Sequence, residues 1–140
     1  MSPITSSRLA GRALPVLAAL TLALLAPLAA HAATPSELLA QYTAAAGAPA
    51  QAARGQQFFS QTHGKDWSCA TCHGQRPVAE GKHASTGKPI GALAPAANAQ
   101  RFTDPAKTEK WFRRNCGDVL GRECSAAEKA DLLAWLVTLK

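Results

Sequence analysis

Cys69, Cys72 and His73 stand in the order C-x-x-C-H, which sets two thiols about one helical turn apart and an imidazole just beyond the second. Thiols so spaced meet the two vinyl groups of one haem, and the histidine reaches the iron from the same side. The chemistry implied is one covalently attached haem c with His73 as its proximal ligand. Two other chemistries use paired cysteines. A zinc site would need Cys116 and Cys124 as its second half, but these enclose seven residues, far from knuckle spacing. A thioredoxin-type redox pair would need a β-α-β frame that the chain does not suggest.

The sixth position of the iron is the open question, because no methionine follows Met1 and methionine is the ligand that raises the potential of many cytochromes c. The remaining donors are His63, His83, a lysine such as Lys82 or Lys88, and Asn115. His63, six residues before Cys69, reads as the end of a helix. His83 lies in Gly81-Lys82-His83, and bis-histidine ligation through it would make a permanently ligated, low-potential electron carrier. Asn115 follows Trp111 by four residues and Phe112 by three, so an amide projects from an otherwise apolar helix face, and a buried amide needs partners. That partner is the iron or the end of its own helix. An amide oxygen is a hard donor that suits ferric better than ferrous iron. Reduction should then weaken the bond and open the site to O2, NO or CO.

Four helices must position these groups. Thr34-Pro35-Ser36-Glu37 forms a capping box with proline at the first helical position, predicting a helix from Pro35 to about Ala46 that stops at Gly47. A second helix is expected from about Ala50 to Gln61, with Phe58 and Phe59 inward and Gly55 allowing close approach of another helix. Asp104 and Pro105 open a third, reaching about Cys116, with Thr108, Trp111, Phe112 and Asn115 on one face. Ser125 and Glu128 cap a fourth that carries Leu132, Leu133, Trp135, Leu136 and Leu139. The stretch from Gly74 to Arg101, rich in Gly and Pro, reads as loop around a prosthetic group. No strand is expected. The fold class is all-α: a small class I cytochrome c-like domain wrapped around one haem.

Arg8 and Arg12 precede an uncharged apolar run from Ala13 to Leu28, and Ala30-His31-Ala32 offers the small residues of a cleavage site. Residues 1–32 are therefore expected to be a secretory signal peptide and 33–140 the cytochrome domain, periplasmic and without a stable membrane anchor. In an oxidising compartment Cys116 and Cys124 pair by default, with two free thiols as the alternative. The mature part keeps all nine acidic residues and thirteen of the fifteen basic ones, a formal charge of +4 before haem propionates. Lys82, Lys88, Lys107, Lys110, Arg113 and Arg114 suit an acidic protein face or simply a solvated surface. Nucleic acid is not indicated, since no aromatic residues interleave with a dense basic run.

The runs Arg101-Phe102-Thr103-Asp104, Glu109 to Cys116, Gly121-Arg122-Glu123-Cys124 and Glu128 to Leu136 resemble the Sphaeroides haem protein (SHP) family of c-type cytochromes, and the likeness spans essentially the whole mature part. The resemblance implies a class I-like fold with Asn115 as a distal ligand that leaves the reduced iron, admitting oxygen or another diatomic. It also implies His73 as proximal ligand, a Cys116–Cys124 disulfide beside the site, and dihaem cytochrome c and membrane cytochrome b as redox partners. The resulting expectation is a ligand-binding electron acceptor. The rival is a plain electron-transfer cytochrome c with a permanent sixth ligand, Asn115 or His83. Turnover of oxygen or NO is a third class that no residue guarantees.

Overall fold

The computed structural model describes residues 32–140; the expected signal peptide lies outside them apart from Ala32. Five helices and one short strand pair follow in the order α1 (Pro35–Ala46), α2 (Ala52–Ser60), α3 (Cys69–His73), β1 (Gly81–Lys82), β2 (Pro89–Ile90), α4 (Pro105–Leu120) and α5 (Ala126–Leu136). The fold is mostly helical and cytochrome c-like. The capping chemistry read from sequence sets the ends of several elements. Thr34 and Glu37 close the box that starts α1, Gly47 ends it in the left-handed conformation, and Ser125 with Glu128 starts α5 in the same way. Such caps satisfy the amide donors that a helix leaves open, each worth about 1 kcal/mol.

α5 is the central element. It packs closely against α1 and α2, and Leu132, Leu133, Trp135 and Leu136 are all buried. Gly55 of α2 sits directly on the backbone of α5: a Cβ there would run into the carbonyl of Asp131 and come within 2.8 Å of the Leu132 nitrogen. Asp131, itself buried, ties the same crossing. Its Oδ1 accepts from the Gln51 amide at 2.6 Å, and its carboxylate takes Arg54 Nε at 2.6 Å and Nη2 at 2.9 Å. Burial alone would raise the Asp131 carboxyl; the hydrogen bonds from Arg54 and Gln51 outweigh it and hold the group ionised below its usual range. These bonds also explain why α2 begins at Ala52, with Gln51 as its N-cap, and not at about Ala50.

Three sequence expectations change. α4 runs four residues past Cys116, because Gly117 stays helical and the chain turns only at Gly121, whose φ of 76° is left-handed. Its buried residues are Thr108, Phe112, Cys116 and Val119; Trp111 is 43 % exposed and Asn115 is exposed too, so the expected common face is split. The stretch from Gly74 to Arg101 is not structureless. β1 and β2 pair antiparallel, Gly81 opposite Ile90, and Pro77 O accepts from the amides of Leu93 and Ala94 at 3.0 and 2.9 Å.

Gly55→Ala is expected to lower the stability of the protein by about 1–3 kcal/mol despite the roughly 1 kcal/mol that alanine gains as a helix former, because the obstacle is backbone, with no rotamer to yield. Thermal melts decide this, and a variant as stable as the parent would show that α2 and α5 do not meet so closely. A second test concerns pH. Hydrogen bonds from Arg122, then the Ser125 backbone, push the Glu128 carboxyl down to about 2 from an ordinary 4.5. A depressed carboxyl stabilises the fold above its unfolded pKa and loses that contribution as pH falls between about 4.5 and about 2. Glu128→Gln should therefore be less stable than the parent at neutral pH in denaturant titrations, with the gap closing towards pH 2.5, roughly the bottom of that window.

Candidate functional site

The five residues of α3 hold the two thiols and the imidazole. Ser68 caps the helix through its hydroxyl to the Thr71 amide at 3.2 Å, and Thr71 Oγ1 accepts from the Ser68 amide at 2.9 Å. A helix this short depends on its cap. Cys69 and Cys72 are free thiols, both half-buried. Burial pushes the Cys69 thiol up to about 11. Burial, and then the nearby Arg101 guanidinium, push His73 down to about 4, so the ring is neutral at physiological pH with a lone pair to give. Phe59 connects this site to the core, its ring centroid 6.3 Å from that of His73 and 4.9 Å from that of Trp135.

Arg101 was present in the sequence reading only as part of a motif, and the structure gives it a place. Its Nε donates to Ala92 O at 2.9 Å and its Nη2 to Gly91 O at 2.6 Å, stapling the loop beside His73. Next to it Phe102 is buried with φ at 62°, a left-handed conformation that costs a non-glycine residue about 1–2 kcal/mol and is held here by packing. A single arginine beside a Gly- and Pro-rich loop was the signal available.

Each candidate from the sequence can be located. His63 closes the end of α2 as expected, its Nε2 lying 2.8 Å from Phe58 O. His83 sits in the hairpin between β1 and β2, where its Nδ1 accepts from the Thr86 amide at 3.3 Å and lies 3.2 Å from Ser85 Oγ. That hairpin leans on α3. A Cβ on Gly81 would run into the Cys72 carbonyl, and the Ala84 amide donates to Cys72 Sγ at 3.4 Å. Cys116 and Cys124 are joined in a disulfide with Cα atoms 5.6 Å apart, which leaves the zinc alternative without half of its ligands. Asn115 is the eleventh of the sixteen residues of α4, too far from the end to cap it. Among the described residues its carboxamide has no hydrogen-bond partner.

Around α4, at 100° per residue, Thr108 and Phe112 point inward, Glu109 and Cys116 lie on one flank, and Trp111 and Asn115 lie on the other. Trp111 is the one large exposed hydrophobe among the described residues, one turn from an unpartnered amide. Arg114 lies 5.7 Å over the Trp111 ring. The two free thiols and the neutral imidazole of α3 fit haem c.

Comparison with known proteins decides the family. A family model described as "Domain of unknown function (DUF1924)" matches residues 45–136. The chain is 54 % identical over 107 residues to cytochrome c-type protein SHP of Cereibacter sphaeroides, covering 74 % of this chain and 82 % of that protein. The chain belongs to the SHP family. The structure of oxidised SHP, described as an oxygen-binding cytochrome c, superposes with a TM-score of 0.71 at 50 % identity over 76 % of this chain and 97 % of that one. Cytochrome c'' of Methylophilus methylotrophus is 46 % identical over 80 residues, 57 % of this chain and 56 % of that protein. Its oxidised crystal structure superposes with a TM-score of 0.71 at 37 % identity, over 76 % and 94 % of the two chains. This SHP family member is a c-type cytochrome, and its cofactor is covalently bound haem c.

Replacing both thiols, in Cys69→Ser/Cys72→Ser, should give a chain without haem whose Trp111 emits at the long wavelength of a wetted indole, while the haem-loaded protein shows strongly quenched tryptophan fluorescence. Adding Trp111→Phe to the haem-free variant should remove that long-wavelength component. Its persistence would mean that another tryptophan is the exposed one.

Proposed function

We propose that this SHP family member is a periplasmic monohaem cytochrome that accepts an electron from a partner cytochrome and then binds a small diatomic ligand, O2, NO or CO. The observation that carries the reading is Asn115: a carboxamide in mid-helix, beside Trp111, without a protein partner, in a chain whose residues after Met1 include no methionine. Haem c supplies the one-electron couple and the ferrous affinity for diatomics. His73 holds the proximal side as a neutral imidazole. Asn115 supplies an amide oxygen to the ferric form and withdraws on reduction, since a hard neutral donor binds the softer ferrous ion less well.

Oxygen binding is stated for SHP itself, and the solution structure of cytochrome c'' concerns haem-ligand detachment; both relatives support a sixth ligand that comes and goes. Residues 1–32 as a removed secretory signal, and 33–140 as the single cytochrome domain, complete the reading. No helix among the described residues is long and apolar enough to cross a membrane. Lys82, Lys88, Lys107, Lys110 and Arg114 are exposed and suit a redox partner with an acidic face, by family resemblance a dihaem cytochrome c or a membrane cytochrome b.

Asn115→Ala should change the ferric spectrum and spin state while leaving haem attachment intact, and CO should shift the ferrous spectrum of the parent protein promptly. An unaltered ferric spectrum in the variant would remove asparagine from the iron. A ferrous parent indifferent to CO would instead make this a plain electron carrier with a permanent sixth ligand.

A further inference from the structure

Side chains from three helices meet on the flank of α4 opposite Asn115. Tyr42 of α1 donates its hydroxyl to Glu109 Oε1 at 2.7 Å, and Lys129 of α5 donates Nζ to Glu109 Oε2 at 2.7 Å. The Lys129 ammonium also lies 5.7 Å from the ring centroids of both Tyr42 and Phe112, and those rings meet edge-on at 5.8 Å. The Lys129 side chain is 14 % exposed and that of Glu109 39 %, so the pair is half-shielded from solvent and gains from its second hydrogen bond, to Tyr42. Both oxygens of Glu109 are committed, one to each of the two helices that form the packed core with α2.

Thr108 and Phe112 of α4 are buried against the bundle, and the other polar and covalent attachments of the helix lie at its far end. Cys116 is bonded to Cys124, and Lys65, four residues before Cys69, donates Nζ to Gly117 O at 3.2 Å. The close backbone packing in the molecule is between α5 and its neighbours α1 and α2, whereas α4 is attached mainly through side chains. A helix held at one end can swing and roll. Apolar packing by Phe112 leaves room for such a roll, and Glu109, in the second turn, adds the directional polar hold that opposes it.

We infer that Glu109 is a positioning residue for Asn115: gripped by Tyr42 and Lys129, it fixes the roll of α4 and thereby the reach of the Asn115 carboxamide. This rests on the reading of Asn115 as the distal ligand. Six residues of helix place the two side chains about 120° apart around the axis and about 9 Å apart along it, so they form two arms of one lever. A roll of about 20° moves an atom about 6 Å from the axis by roughly 2 Å, enough to carry a donor atom into or out of bonding range. The grip thus determines how strongly the internal amide competes with an incoming ligand.

The test uses the haem-loaded protein and ferric azide titrations, in which azide competes with the internal ligand. Glu109→Gln and the milder Tyr42→Phe should each raise the apparent azide affinity by about threefold to tenfold, as expected for the loss of a hydrogen bond that holds the competitor. In an Asn115→Ala background, where no amide competes, the same two substitutions should leave azide affinity unchanged. Unchanged affinity in the Asn115-containing variants overturns the inference, as does an equal rise in both backgrounds, which would mark a general loosening of the pocket. If Asn115→Ala alone fails to raise azide affinity, the distal-ligand reading itself has failed, and the inference falls with it. Tyr42→Phe removes one hydroxyl from a ring that stays packed, so the comparison survives even if Glu109→Gln does not fold.

Discussion

The crossing of α2 over α5 at Gly55 is the contact on which the remainder of the molecule depends. It is the point where the backbones of α2 and α5 touch, and it is locked by a buried carboxylate, Asp131, that takes the amide of Gln51, the N-cap of α2, and two donors of the Arg54 guanidinium. From this crossing the core extends in both directions. Leu133, Leu136 and Leu38 lie at its centre, and Phe59, one turn after Gly55, passes from Trp135 to His73. The helix that carries Cys69, Cys72 and His73 is thus joined to the most closely packed part of the described residues. Sites held by packed elements keep their geometry best.

The other side is built differently. α4 meets the bundle through a ring, a carboxylate, a lysine and a disulfide instead of through interlocked backbone. Local stability in proteins varies with packing in this way, and elements that move during function come from its lower end. The asymmetry is a consequence of residue choice. Glycine at position 55 permits backbone contact, whereas Phe112 and Thr108 hold α4 at side-chain distance. One face of the site is therefore fixed by the core, and the other is attached to it at discrete points.

How much of this could be read from the chain follows from the range of each interaction. Caps are local, so Thr34 with Glu37 and Ser125 with Glu128 gave the starts of α1 and α5 directly; the C-x-x-C-H spacing gave the cofactor, but not that these five residues form a capped helix of their own. Gly55 was legible as a close approach because a glycine before two phenylalanines has few other uses in a helix. The start of α2 was not, since Asp131 lies eighty residues from the Gln51 amide it binds. The end of α4 was misjudged because two glycines, 117 and 121, could each have stopped it, and only the φ at Gly121 decides. Two-residue strands are too short to carry a pattern. Asn115 was singled out by its family likeness and its place after Trp111; the hydrogen bonds of Glu109 could not be foreseen, because its partners come from positions 42 and 129. The hydroxyl of Tyr42 was the hint: a tyrosine on a core-facing stripe needs somewhere to put its oxygen.

The burial of Cys69 has a bearing on how four cysteines are sorted. Disulfides form through the thiolate, not the thiol. Burial pushes the Cys69 thiol up to about 11, which disfavours its thiolate at neutral pH, while Cys116 and Cys124 are already joined to one another. The fold thus treats two pairs of identical side chains differently: it joins Cys116 to Cys124 and leaves Cys69 and Cys72 as thiols on one short helix, and the burial of Cys69 makes the first of them slow to enter the exchange that would join them.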